Sequence, residues 1–355
     1  MRRVYLAYSL PSPSGYLRKA LNKVLLISSF FPPINRQEGL MNIDWPKPLA
    51  APASIAYNLI NALKSKSNLK LYDYRQRTFC KLEKSDILLF HPCAIMKDGH
   101  PISPDFNTIG LQSLIKNNVG NKYMIIPYNH DINQIEWLKP VLLKNKISGL
   151  IAITGKYWSE SWNKSPLFNY VDNICFVEMG IDTEDYPLIK TEFNPPGKRK
   201  FLYIGKTGNI KNTSELENIA KNVPGFEGGY ISNGKISGWK KISGFVDLTP
   251  KVVSKLAQEY DIFLNVSTFD AQATTILEQM CFGFPVACTQ ESGYSYKSII
   301  RLDPYNTKFN CEQIKFIQNM PSVELLKLSI ANRKIVKNNH NWDVFVKKIT
   351  KFIKL

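Results

Sequence analysis

The chain has 355 residues, 44% hydrophobic and 12% aromatic, with 46 Lys and Arg against 29 Asp and Glu and a formal net charge of +17. That length exceeds what one core usually organises, and that composition excludes wholesale disorder, so two globular domains are expected. The basic excess divides almost evenly about residue 190 instead of forming a tail. It favours anionic partners (a nucleotide, an acidic membrane surface or nucleic acid) without choosing among them, and a Lys-, Asn- and Ile-rich composition would produce the same charge with no partner at all.

Val4 to Leu10, behind Arg2 and Arg3, is too short and too polar for a signal peptide, and no apolar run approaches the roughly 20 residues that span a bilayer. Residues 1–22 match no element of the pattern that follows. Val24 to Ser29 reads as the first buried strand, and an irregular Pro- and Gly-rich segment leads to a helix over Ala53 to Leu63. Strands are expected at Leu69 to Tyr74, Ile87 to Phe90, Tyr123 to Pro127, Leu150 to Thr154 and Ile174 to Glu178. Helices fall between them at Asn107 to Lys116 and Ile132 to Leu143. The stretch from Pro187 to Lys200 breaks at Pro195-Pro196-Gly197 and reads as a linker.

A second series then begins, with strands at Phe201 to Ile204, near Gly229 to Ile231, Lys241 to Phe245, Ile262 to Val266 and Val286 to Thr289. Helices start at Ser214 and span Pro250 to Glu259 and Thr275 to Cys281. This alternation is the mark of α/β domains with parallel sheets, whose ligands bind beyond the carboxyl ends of the strands. Domains of 1–190 and 191–341 follow. Trp342 to Leu355 reads as a last amphipathic helix whose lysines suit anionic lipid.

The six cysteines are scattered without a CxxC pair, and the four histidines add no zinc spacing, so a reducing cytoplasm and no structural metal are expected. There is no P-loop motif, no complete GxGxxG after the first strand, and no Asp-x-Asp at a strand end.

The segment from Asp261 to Ala287 carries the most chemistry. A buried strand ends at Ser267, a loop holds Asp270, and a helix starts near Thr275 and stops at Gly283 and Pro285. Asp270 and Glu278 have seven residues between them. The helix N-terminus, at Ala273, Thr274 and Thr275, offers amides and a positive dipole end to a diphosphate. Thr275-Ile-Leu-Glu278 also has the form of a capping box, which would give Glu278 a purely structural role. Glu291-Ser292-Gly293 is either a further source of amides or a turn.

This segment resembles the Glu-x7-Glu and Ala-Gly-Pro-Val signature of retaining glycosyltransferases of the large sucrose-synthase-like family (glycosyltransferase group 1, family 4). Gly205-Lys206-Thr-Gly-Asn-Ile-Lys211 is similar to that family's Gly-Arg-x4-Lys-Gly, Met179-Gly180-Ile181-Asp182 to its Asn-Gly-Val-Asp, His130-Asp131 to its sugar-site His, and Trp342 to the tryptophan before its last helix. The resemblance runs from about Val24 to the C-terminus. It implies a GT-B architecture, two Rossmann-like domains facing across a cleft, and metal-independent retaining transfer with no cofactor. It also implies that the helix from Trp342 to Leu355 packs back on the first domain.

By the same resemblance, Asp270 and His130 are catalytic. Gly205, Lys206, Lys211, Ala273, Thr274, Thr275 and Glu278 bind a nucleotide-sugar donor, with a glycan or lipid-linked acceptor. The cytoplasmic location expected from the cysteines leaves peripheral contact with the inner face of a membrane as one option, through the basic face of the last helix. The chain departs from the family in Asp270 for the first Glu, Ala271-Gln272-Ala273 for Gly-Phe-Gly, Asn212 for a Gly, and Glu38-Gly39 for a Gly-Gly. These departures motivate a non-catalytic sugar-nucleotide-binding protein as an alternative, and the charge motivates a glycosyltransferase acting on modified DNA bases.

Overall fold

A computed structural model describes residues 2–7, 51–72, 82–91, 95–97, 100–103, 115, 120–128, 139–160, 169–171 and 173–355. The predicted strand Val24 to Ser29, and the predicted helix Asn107 to Lys116 apart from Ile115, lie outside the described residues. The chain divides into two compact units. One comprises Met1–Ile153, Ser161–Val177 and Val346–Leu355, the other Thr154–Glu160 and Glu178–Phe345.

In chain order the first elements are β1 (Arg3–Ala7), α1 (Ala51–Leu63), β2 (Asn68–Tyr72), β3 (Ile87–Phe90), the antiparallel pair β4 (Ile95–Lys97) and β5 (His100–Ser103), and β6 (Asn121–Pro127). Then come α2 (Lys139–Lys144), β7 (Gly149–Ile153), the short α3 (Lys156–Ser159), which belongs to the second unit, and β8 (Ile174–Val177). The first unit's sheet runs β2-β1-β3-β6-β7-β8, every neighbouring pair parallel. Its central strands are near-continuous apolar runs, as a sheet covered on both faces requires.

Residues 1–22 have no counterpart in the sequence pattern, yet Arg3–Ala7 pairs with both β2 and β3. The reason is packing. Val4 and Leu6 are fully buried, and Arg3 donates from Nε to Asp86 Oδ1 at 2.9 Å, just before β3 begins. A five-residue strand of this kind is set by its partners rather than by its own periodicity.

The second unit follows with β9 (Lys200–Ile204), α4 (Thr213–Asn222), β10 (Glu227–Ile231), β11 (Lys240–Ser243), α5 (Pro250–Glu259) and β12 (Ile262–Asn265). It continues through α6 (Thr274–Phe282), β13 (Val286–Thr289), β14 (Ile300–Leu302), α7 (Thr307–Gln318), α8 (Ser322–Asn339) and α9 (Trp342–Phe352). Its parallel sheet has the order β11-β10-β9-β12-β13-β14. This is the doubly wound Rossmann arrangement, in which the chain reverses direction between β9 and β12 and opens a crevice at their carboxyl ends.

Local sequence explains the helix ends. Thr249 caps α5 by accepting from Val252 N, with Pro250 at the first helical position where its missing N–H costs nothing. Gly283 ends α6 at φ 94°, a left-handed conformation that glycine adopts without strain. In the core, Phe201, Tyr203, Ile262 and Leu264 pack beneath α4 and α7 with Leu216, Ile219 and Ile314.

At the amino ends of β9 and β12, Asp261 is completely buried and gathers four donors. Lys190 Nζ lies at 3.1 Å, Asn194 N and Nδ2 at 2.9 Å each, and Lys200 N at 2.9 Å. The segment before β9, read as a linker from its prolines, is fastened to this unit by that carboxylate.

The last helix, α9, crosses the division at Val346. Phe345, Val346, Ile349 and Ile353 are buried, while Lys347, Lys348 and Lys351 are exposed. Within the first unit Phe352 meets Tyr123 edge-on at 5.5 Å. No helix among the described residues is long and apolar enough to cross a membrane.

Candidate functional site

The loops that leave β9 and β12 at the reversal of strand order hold most of the residues singled out from the sequence. Gly205 follows β9 directly, and the buried Tyr203 hydroxyl donates to the Lys206 carbonyl at 2.6 Å, which folds the loop back. Lys206 itself is exposed. Gly208 has φ 132° and Asn212 φ 52°. The Asn at position 212 therefore occupies a left-handed position that the family fills with Gly, and Asn is the side chain that tolerates it best after Gly. Its amide also donates to Pro304 O at 2.9 Å.

The two loops are joined to each other. Thr268 N donates to Ile210 O at 2.9 Å, and Lys211 Nζ forms an ion pair with Asp270 Oδ2. This pair is part-exposed, at 27% for the lysine and 19% for the aspartate side chain. Apart from each other, no side-chain partner of either charge is found among the described residues, which leaves the second carboxylate oxygen and two ammonium protons for a ligand.

Helix α6 starts one residue earlier than expected, at Thr274, with Ala273 as its N-cap and no side-chain cap. The capping box therefore does not form. Glu278 is the fifth residue of the helix and too far along to reach the N-cap amide. The first turn presents the part-exposed Thr274 and Thr275 with the uncapped amides of a helix terminus. Glu278 has no hydrogen-bond or ion-pair partner among the described residues, and burial of its carboxyl pushes its pKa up to about 7. His130 and Asp131 lie outside the described residues.

Beneath the β12 loop is a buried polar network. Asn265 Oδ1 accepts from Ser292 Oγ at 2.8 Å and from Ser267 N at 3.1 Å, and Thr289 Oγ1 donates to Ser267 O at 2.6 Å. Gln272, whose place the family gives to Phe, is buried. It accepts from Met179 N at 2.6 Å and reaches toward Gly293 O at 3.5 Å. Tyr294 donates to Ala273 O at 2.9 Å, fixing the N-cap residue. Three backbones cross so closely here that a Cβ on Gly155 would lie 1.6 Å from Gly293 O, and one on Gly293 would lie 1.9 Å from Ala271 O.

Several of these residues escape sequence reasoning. Gln290–Ser292 is a short 3-10 turn, but Glu291 does more than turn the chain. Its carbonyl accepts from Asp270 N at 2.8 Å and its carboxylate from the Tyr157 hydroxyl at 2.9 Å. Burial, reinforced by that bond, pushes the Tyr157 hydroxyl up to about 12. Trp158 Nε1 donates to Asp270 O at 2.7 Å and, at 3.3 Å, to Glu291 O. Tyr157 and Trp158 carried no local signal, because their partners are over a hundred positions away. No cluster of three His, Cys, Asp or Glu side chains that could hold a metal is formed among the described residues.

No protein-family model matches the chain, and no curated protein matches it. Solved structures do, at low identity. Sucrose-phosphate synthase from Thermosynechococcus elongatus aligns over 100% of this chain and 98% of its own, with TM-score 0.59 and 10% identity. Anabaena Alr3699/HepE in complex with UDP and glucose aligns over 100% of both chains, with TM-score 0.56 and 9% identity. TarM aligns over 76% of this chain at TM-score 0.54 and 13% identity, and the match spans only 55% of TarM's own length. The fold is accordingly that of the GT-B proteins, with two Rossmann-like domains.

Proposed function

We propose that the protein is a glycosyltransferase that takes a sugar from a nucleoside diphosphate donor bound to its second unit and passes it to a hydroxyl acceptor. The observation that carries this is the convergence, at the strand-order reversal of a Rossmann sheet, of Lys211, Asp270 and the uncapped N-terminus of α6. A helix N-terminus with an adjacent ammonium is matched to a diphosphate. Lys206, exposed on the same loop, supplies a second cation.

Glu278, four residues along the helix from Thr274, accepts from the ribose hydroxyls, and the free oxygen of Asp270 accepts from hydroxyls of the transferred sugar. Negative charge grows on the departing diphosphate as the glycosidic bond breaks, so preorganised positive groups lower the barrier more than they tighten the ground state. Lysines and amides neutralise this charge without a metal, and transfer with retention is the outcome that the family resemblance implies. His130, on the family resemblance, is proposed as a further group acting on the sugar. The fold of HepE, solved with UDP and glucose, makes UDP the first nucleotide to try.

A thermal-shift screen against UDP-, GDP-, ADP- and CMP-sugars tests this. Ligand at a hundred times its dissociation constant stabilises by about 2.7 kcal/mol. The expected result is a shift with one nucleotide class, lost in Lys211→Ala, and absence of any shift across the panel would refute the donor site.

A further inference from the structure

The carboxylate assigned to the transferred sugar sits on a loop, and loops position reacting groups well only when something outside them holds the backbone. For Asp270 both backbone polar groups are held. Its N–H donates to Glu291 O at 2.8 Å, and its carbonyl accepts the indole N–H of Trp158 at 2.7 Å. That same N–H leans toward Glu291 O at 3.3 Å, so the indole sits where the β12 and β13 loops meet.

We infer that Trp158 is a positioning residue for Asp270, acting through the peptide carbonyl rather than by contact with substrate. This rests on the donor-site reading above. The indole is itself immobilised. Trp158 is 8% exposed and meets Phe269 edge-on at 5.2 Å and Tyr157 at 4.9 Å. Its neighbour Tyr157 fastens the Glu291 side chain at 2.9 Å. The approach of α3 to the β13 loop depends on the missing side chain of Gly155, where a Cβ would meet Gly293 O at 1.6 Å. A tryptophan needed only to fill space would be served by any polar partner, or by phenylalanine. Here the N–H is spent on the one residue whose side chain forms the ion pair with Lys211. A displacement of about 1 Å in a reacting group costs on the order of a hundredfold in rate, so a lost anchor is read in turnover before it is read in binding.

Trp158→Phe keeps an aromatic ring and removes the donor. The expected result is a fall in kcat for donor hydrolysis or transfer of about tenfold or more, with the dissociation constant of UDP within about threefold of wild type. An unchanged kcat overturns the inference, and so does a loss of UDP affinity in step with kcat, which marks general loosening. A second arm needs no activity: melting temperatures of Trp158→Phe, Lys211→Met and the double variant. If the indole sets the geometry of the ion pair, the double variant loses about 2 °C or more less than the sum of the single losses; an additive cycle overturns the inference. Should wild-type protein neither bind nor turn over any donor, the donor reading fails while this cycle still decides the positioning. Should Trp158→Phe fail to fold, Tyr157→Phe loosens the same clasp more gently, with a kcat loss of about threefold expected at unchanged UDP affinity, and an unchanged kcat then counts against it.

Discussion

The second unit contains two Lys–Asp ion pairs at opposite ends of the same two strands, and they differ in every physical respect but their chemistry. Lys190–Asp261 lies at the amino ends of β9 and β12, with side chains 2% and 0% exposed. The Asp261 carboxylate accepts from Lys190, Asn194 and the Lys200 backbone, and Lys190 also donates to Ala257 O at 2.7 Å. Burial lowers the pKa of Lys190 and the neighbouring carboxylate opposes this. Lys211–Asp270 lies at the carboxyl ends, part-exposed, and neither side chain has a further side-chain partner among the described residues. A buried charge is tolerable only when its partners are complete, so saturation marks the first pair as structural. Lone pairs without a partner among the described residues, at a strand-end crevice, suit the second to the donor role proposed for it.

The sharpest way to break this contrast is to remove the aspartate from each pair. Asp261→Ala leaves Lys190 buried without its counter-charge and is expected to cost about 3–5 kcal/mol in chemical denaturation, enough to compromise expression. Asp270→Ala should cost at most about 1 kcal/mol by the same measurement, yet lower donor turnover by about a hundredfold or more. Equal destabilisation by the two substitutions would erase the distinction.

Lys211→Ala comes next, with a loss of at least about tenfold in donor turnover and a melting temperature lowered by about 2–3 °C, the upper end of what a part-exposed ion pair contributes. A much smaller loss would return Lys211 to the many surface lysines of this chain.

Glu278 gives the smallest effect and tests the enclosure of the site through pH. Its folded pKa, about 7, lies above that of an exposed glutamate, about 4.3. Below both values the folded and unfolded states carry the same proton. As pH rises between them the unfolded chain ionises first, so stability falls across that window and levels off above it. Glu278→Gln should flatten this fall in a series of melting curves from pH 4 to pH 8. Parallel curves for the two proteins would show that the carboxyl is not desolvated.

Much of the second unit was legible beforehand. Pro250–Glu259 and Val286–Thr289 fall where capping residues and a bounded apolar run place them. Lys211 and Asp270, singled out through the family resemblance, meet in space. The start of α6 was misplaced by the capping-box pattern, because Thr275 and Glu278 have the right spacing but Ala273, held by Tyr294, is the residue where the helix turns in.

What the sequence by itself determined is most of the βα succession from Phe201 to Thr289 and the polar residues at its strand ends, since hydrophobic period, caps and glycines act over a few neighbouring residues. Tertiary structure alone decided that Arg3–Ala7 joins the first sheet, that Gln272 braces Met179, and that Trp158 anchors Asp270 across 112 positions. In each case a side chain or a short strand takes its role from a partner that the fold brings close. A pairing between distant residues leaves no periodic trace in either segment.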